Sequence, residues 1–190
     1  AIDESAPPGM LVVGIDNNAQ RIDEYTPTAD PSYGGGFAKD YLDFVADTVK
    51  PYVDGQYRTL SDAPNTAVLG SSLGGLFAFY AGWTKPTVFG NVVAMSPSFW
   101  WDNETVRRSL PGSQKRAIFV YLDSGDAGPS SDGSVACKAV RDGLIALGYN
   151  LGVDLEYWLE AGAGHNEAAW AARLYRPLRL LSTTGSFPTH

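Results

Sequence analysis

The residues best suited to chemistry form the pattern Gly-x-Ser-x-Gly, in which Gly70 and Gly74 flank Ser72 two positions away on each side. An apolar, partly β-branched run precedes this pattern and an apolar run typical of a helix follows it. A sharp strand-to-helix turn lifts a serine hydroxyl clear of the backbone, and glycines leave room for that turn. The neighbouring Ser71 has leucines at the two flanking positions, so the spacing predicts Ser72 as a nucleophile. The alternative is a Gly/Ser-rich loop without chemistry.

A serine hydroxyl is a weak nucleophile at neutral pH and needs a base beside it. The chain has two histidines, and His190 is the last residue, where order is not expected. His165 lies on a loop between a predicted strand and a predicted helix, and it follows Ser72 in the chain as a catalytic histidine can. We therefore predict His165 as the base. The alternative is a loop histidine that caps the following helix.

An acid that orients the histidine is expected after the predicted strand over residues 117–122. Three aspartates follow that strand: Asp123, Asp126 and Asp132. Asp123 belongs to the end of the strand and is interpreted as structural, since its side chain can hold the loop backbone. Local reasoning does not separate Asp126 from Asp132, and either can be a solvated loop carboxylate.

Two further features concern the binding of a substrate. The backbone N–H of Leu73, directly after the nucleophile, is predicted to bind the oxyanion, together with an N–H from an earlier strand-to-helix loop. Trp100 and Trp101 follow a predicted strand end, where pocket walls form in open α/β sheets. They are predicted to line a site for an acyl or aromatic group. A core position is an equally good interpretation for at least one of them.

The elements that must position these residues alternate between strands and helices. Strands are predicted over residues 10–15, 66–69, 92–95, 117–122 and 153–159, and helices over residues 37–50, 73–83, 104–110, 136–147 and 167–176. This alternation predicts an α/β fold with a mostly parallel sheet between two layers of helices. Residues 10–15 are predicted to be a buried strand, residues 16–36 an irregular loop, and Pro51 the end of the first helix. No linker divides the chain, so we expect one domain over residues 1–190.

The composition is that of a globular protein, with 190 residues, 44% of them hydrophobic and 18% charged. A net charge of −7 argues against nucleic acid or an anionic membrane surface as a partner. The single cysteine, Cys137, excludes an intramolecular disulfide and a thiolate zinc cluster. The sequence shows no membrane-spanning run and no intact signal peptide, so a soluble protein of the bacterial cytoplasm or a secreted one is expected, the compartment being undecided.

Several stretches, taken in chain order, resemble a family of α/β-hydrolase esterases. That family contains S-formylglutathione hydrolase, feruloyl and acetyl xylan esterases, enterobactin-type siderophore esterases and the antigen-85 mycolyltransferases. The similar stretches are residues 12–17 with Arg21 and residues 24–27, the turn over residues 70–75, residues 95–101, residues 121–125, and residues 164–167 with Trp170 and Arg173. Together they cover nearly the whole chain.

The resemblance implies an α/β-hydrolase fold and a serine carboxylic ester hydrolase that acts through an acyl-enzyme on small or medium acyl esters. It implies Ser72 as nucleophile and His165 as base, and its spacing favours Asp132 as the acid, with Asp126 second. A small-molecule ester would be the substrate, with no metal or organic cofactor. Alternatives are an acyltransferase with the same triad and a non-catalytic binding module with this fold.

In one respect the chain departs from the family pattern. Family members usually carry strands ahead of the segment that resembles residues 10–17, and one of them ends in a turn that contributes to the oxyanion region. The sequence given begins after that point. We expect the apolar edge of the predicted strand over residues 10–15 to be covered by a second copy of the chain or by a complementing peptide, which would also supply the second N–H.

Overall fold

Four parallel strands form the sheet that carries the site. In this computed structural model, which describes residues 9–183, they lie in the order β1-β2-β3-β4. The strands are β1 (Ala67–Ser71), β2 (Asn91–Met95), β3 (Phe119–Gly125) and β4 (Leu155–Glu160). In register, Ser71 lies beside Met95, and Met95 lies beside Asp123. The C-terminal ends of the strands therefore meet at one edge, where their following loops converge.

Helices connect the strands and flank the sheet. They are α1 (Arg21–Tyr25), α2 (Ala38–Phe44), α3 (Lys50–Gln56), α4 (Leu73–Thr84), α5 (Trp101–Ser109), α6 (Ser134–Ala146), α7 (Glu167–Arg173) and α8 (Tyr175–Thr183). A π-helical turn over Val45–Val49 joins α2 to α3, and short 3₁₀ turns occupy Ala63–Asn65 and Ser131–Gly133.

The two central strands bury both of their faces. Alternate side chains of a strand point to opposite faces, and in β2 and β3 both sets are apolar. Val92, Ala94, Val120 and Leu122 pack with residues of α4, α5 and α6, whereas Val93, Met95, Phe119 and Tyr121 pack against residues of α7 and α8. The sheet therefore lies between two helical layers, which confirms the predicted three-layer α/β fold.

The prediction of a buried strand over residues 10–15 is wrong. These residues form no strand in the structure, and their apolar side chains are exposed, with Val12 at 77%. Among the described residues β1 is an outer strand of the sheet, and no strand pairs with its outer edge. An apolar run becomes a strand only where a partner offers backbone hydrogen bonds, and hydrophobicity alone does not supply that partner.

Two smaller differences concern the region ahead of β1. The predicted loop over residues 16–36 contains the short helix α1. The helix predicted to end near Pro51 continues to Gln56, because the π-helical turn places Pro51 in the first turn of α3. The Lys50 N–H donates to the Val45 carbonyl, five residues back, so the helical backbone continues through this turn to Pro51, whose nitrogen has no hydrogen to donate.

Candidate active site

Ser72 lies in the tight turn between β1 and α4, with φ 57° and ψ −125°. Few residues other than glycine adopt such a backbone, and such strained positions cluster at functional sites. A Cβ atom on Gly70 would lie 2.2 Å from the Gly74 carbonyl oxygen. The glycine ahead of the serine is therefore required for the turn to close, which gives the Gly-x-Ser-x-Gly pattern a structural reason.

His165 reaches Ser72 from the loop after β4. Its Nε2 lies 2.9 Å from the Ser72 Oγ. The following residue, Asn166, caps α7 by accepting the Ala169 N–H, so the alternative in which His165 caps this helix does not hold. The Trp170 ring meets the imidazole edge to face at 4.9 Å between centroids, which restricts the rotation of the histidine.

Asp132, and not Asp126, contacts the histidine. The Asp132 Oδ1 lies 2.6 Å from the His165 Nδ1, and the Asp132 side chain is fully buried. Asp126 is exposed, and its carboxylate accepts the Gly162 N–H at 2.6 Å. Asp123 accepts the Ser96 N–H at 3.1 Å in the core, as its structural interpretation expects. The three aspartates thus separate into three different environments.

The contacts of Asp132 determine which imidazole nitrogen carries the proton. Its second oxygen, Oδ2, accepts the Ser96 hydroxyl and the Gly125 N–H, each at 2.5 Å. Burial raises the pKa of Asp132, but the hydrogen bonds from His165, Ser96 and Gly125 outweigh burial and hold the pKa below its usual value. An ionised carboxylate only accepts, so the His165 Nδ1 donates to it and Nε2 is left to accept from Ser72.

Leu73 begins α4 directly after Ser72. The first N–H groups of a helix have no intrahelical acceptor, and the helix dipole favours negative charge at that end. The position of the Leu73 N–H at the start of α4 is compatible with its predicted role as an oxyanion donor, which stays a prediction. Ser98, which the sequence reasoning missed, has its Oγ 3.5 Å from the Ser72 Oγ, and its N–H donates to the Ser72 carbonyl. The one feature of the sequence that could have indicated Ser98 is its place in the Ser-Pro-Ser segment after β2.

The two tryptophans have different environments. Trp101 is 2% exposed, and its indole N–H donates to the Thr28 carbonyl at 2.8 Å. It is a core residue, and its predicted role as a pocket wall is wrong. Trp100 is 45% exposed and meets the exposed ring of Tyr33 edge to face at 5.8 Å. Trp100 follows Ser98 by two residues, so this aromatic pair lies near the turn that contacts Ser72.

Residues 9–183 contain no group of three or more His, Cys, Asp or Glu side chains that could hold a metal ion. Over the same range, no helix has both the length and the apolar character that a bilayer crossing requires.

The fold and the turn at Ser72 define an α/β hydrolase, and comparison with known proteins agrees. The enterobactin esterase of Shigella flexneri superposes with a TM-score of 0.67 at 25% identity, covering 75% of this chain and 38% of that one. The siderophore hydrolase EstA of Aspergillus nidulans superposes with a TM-score of 0.69 at 24% identity, covering 94% of this chain and 71% of that one. The second similarity supports the fold alone.

Sequence comparison places the chain in a family. The model of the family described as "Putative esterase" matches residues 1–181, and the chain belongs to that family. A siderophore enterobactin esterase of Emericella nidulans is 36% identical over 102 residues, which are 48% of this chain and 33% of the relative. The iron(III) enterobactin esterase of Escherichia coli K12 is 30% identical over 123 residues, 61% of this chain and 29% of the relative. The chain thus spans about a third of the length of these relatives.

Proposed function

We propose that the protein hydrolyses carboxylic esters through an acyl-enzyme on Ser72. One observation carries the proposal: Ser72, His165 and Asp132 form a continuous hydrogen-bonded chain, with distances of 2.9 Å and 2.6 Å. These are the distances and roles of a nucleophile, its base and the acid that orients the base. A non-catalytic module would have no reason to keep the strained backbone of Ser72, so the alternative of a non-catalytic binding module is disfavoured.

The reaction would run in two halves. The Ser72 Oγ attacks the ester carbonyl carbon while the His165 Nε2 takes the hydroxyl proton. The Leu73 N–H donates a hydrogen bond to the oxyanion that forms. The intermediate then expels the alcohol, which takes the proton from Nε2, and the acyl group stays on the Ser72 Oγ. Water attacks this acyl-enzyme with Nε2 as base, the carboxylic acid leaves, and the proton returns to Ser72. Asp132 remains ionised and stabilises the imidazolium in both halves.

We propose further that the substrate carries an aromatic group. The exposed pair of Tyr33 and Trp100 lies beside the loop that contacts Ser72, and aromatic rings attract each other beyond their apolar area. The enterobactin esterase of Shigella flexneri has been crystallised with 2,3-dihydroxy-N-benzoyl-serine, and several relatives are named as siderophore esterases. A benzoyl-type siderophore ester fits these features as a substrate class.

The direct test is hydrolysis of p-nitrophenyl acetate and butyrate by the purified protein. We expect turnover that a serine-reactive phosphonate abolishes. Ser72→Ala should be inactive, whereas the matched variant Ser71→Ala should keep substantial activity, because the Ser72 hydroxyl lies 2.9 Å from the His165 Nε2. Wild-type turnover in Ser72→Ala, or exchanged behaviour of the two variants, would contradict the proposal.

A further inference from the structure

Behind Asp132 lies a buried polar cluster that has no part in the reaction as described above. It consists of Ser96 after β2, Asp123 in β3 and Arg173 at the end of α7, and we call it the Ser96–Arg173 cluster. All three residues are at most 1% exposed. Burial of three polar side chains together is costly unless each is paired, so their arrangement needs an explanation.

The Ser96 hydroxyl has one possible orientation. Its oxygen accepts the Trp170 indole N–H at 3.0 Å and an Arg173 N–H at 2.5 Å. Both of these neighbours are donors only, so the hydroxyl proton can only point at its third neighbour, the Asp132 Oδ2. The serine is thereby a fixed donor to the carboxylate that contacts His165. Its backbone, at φ 39°, is strained for a residue with a side chain.

Arg173 places a buried positive charge between two carboxylates. Its Nη2 lies 3.0 Å from the Asp123 Oδ1 and 3.5 Å from the Asp132 Oδ2. Asp123 also accepts the Tyr121 hydroxyl and the Ser96 N–H. Without the guanidinium, two buried negative charges would flank the same serine, and like charges favour uptake of a proton. Burial raises the pKa of Asp123 and Arg173 opposes that rise, while the same guanidinium places a positive charge beside the Asp132 carboxylate.

We propose that Ser96 and Arg173 are positioning residues for the proposed ester hydrolysis. They hold the Asp132 carboxylate ionised and turned so that one oxygen meets the His165 Nδ1. This inference rests on the proposed function, since the two residues act on the reaction only through Asp132 and His165. Trp170 contacts both Ser96 and His165, because its indole N–H donates to the Ser96 hydroxyl and its ring packs against the imidazole.

The first test separates catalysis from folding. Ser96→Ala removes the hydroxyl and keeps the backbone, and we expect kcat for p-nitrophenyl butyrate to fall roughly 10- to 100-fold, as expected for loss of a hydrogen bond to a charged group. KM should change little, because Ser96 is buried and therefore not available to contact a substrate. Arg173→Met should lower kcat more than Arg173→Lys, which keeps the charge. Arg176→Met, three residues along the chain, is the matched control and should keep wild-type kcat.

The second test does not depend on activity. In a His190→Ala background, His165 is the sole histidine, so ¹⁵N NMR of labelled imidazole reports its tautomer alone. We expect a single tautomer with the proton on Nδ1 in the parent protein, and a mixture in Ser96→Ala and Arg173→Met. Where Arg173→Met does not fold, Ser96→Ala and Arg173→Lys decide the result.

The outcomes distinguish this inference from the proposed function. Wild-type kcat and an unmixed tautomer in folded Ser96→Ala would overturn the positioning role, even with an active parent enzyme. A parent protein without esterase activity would overturn the proposed function, and with it the kinetic part of this inference. If kcat falls only in proportion to a fall in Tm, and the tautomer of His165 is unchanged, the cluster stabilises the fold and does not position Asp132.

Discussion

Replacement of Asp132 by asparagine tests how the acid acts. The Asp132 Oδ2 is surrounded by donors, the Ser96 hydroxyl and the Gly125 N–H. An asparagine would turn its carbonyl oxygen toward them, which directs its NH₂ group at the His165 Nδ1. The imidazole would then have to accept at Nδ1 and carry its proton on Nε2. In that tautomer Nε2 donates toward Ser72 and takes no proton from it.

The size of the effect follows from that loss of the base. A histidine held in the wrong tautomer costs a serine hydrolase about 10⁴-fold in kcat, which corresponds to roughly 5.5 kcal/mol at about 1.4 kcal/mol per tenfold change. We expect Asp132→Asn to lose activity on this scale while remaining folded, because the amide keeps the shape and the two donors at Oδ2.

The assay is hydrolysis of p-nitrophenyl butyrate under saturating conditions, with circular dichroism as the check on folding. Asp126→Asn is the matched control, since Asp126 is exposed and binds only the Gly162 N–H among the contacts described here. The kcat of Asp126→Asn should differ little from that of the wild type. A reversed ranking would move the acid to Asp126, and small equal effects would mean that another carboxylate orients His165.

Four further predictions follow from individual contacts. Gly70→Ala should lower the free energy of unfolding by about 1–3 kcal/mol in urea titration, because its Cβ would meet the Gly74 carbonyl oxygen at 2.2 Å; an unchanged midpoint would contradict this. Trp100→Ala should raise KM for aromatic esters while KM for acetates is unaltered. The pKa of Asp132 is lower in the folded protein than in the unfolded chain, so ionised Asp132 should stabilise the wild type above about pH 4. That contribution should be lost as the pH falls through the pKa of the folded state. Chemical denaturation of the wild type and of Asp132→Asn across pH measures the difference between their free energies of unfolding. No strand of residues 9–183 pairs with the outer edge of β1, and we expect that edge to bind a strand from a second copy, which would supply the second oxyanion N–H. Specific activity should therefore rise with protein concentration, and ultracentrifugation that shows a fully active monomer would refute this.

The groups that we propose as catalytic can be predicted from the sequence to different degrees. Ser72 was identified from its glycine spacing, because the spacing reflects a local backbone requirement. His165 followed by elimination, since the chain has only two histidines. Asp132 could not be separated from Asp126 by local reasoning, because both lie in one polar loop and only the tertiary fold decides which one points inward. The family resemblance favours Asp132, and in the structure it is Asp132 that contacts His165.

The roles that depend on pairing were not predictable. Residues 10–15 have the composition of a strand, but a strand needs a neighbour, which a single segment does not specify. The sequence places Arg173 on a predicted helix but does not show that its side chain is buried between two carboxylates. That burial arises only when α7 packs against β3 and the turn that holds Asp132. Trp100 and Trp101 are adjacent and have the same side chain, yet the tertiary fold exposes the first and buries the second.

The most direct measurement is the location of a covalent adduct. The protein is treated with a serine-reactive phosphonate, digested, and analysed by mass spectrometry, with Asp132→Asn and His165→Ala treated in parallel. The account predicts one modified serine, Ser72, labelled rapidly in the wild-type protein and far more slowly in the two variants. A label on Ser71 or elsewhere, or equal labelling of Ser72 in all three proteins, would contradict it.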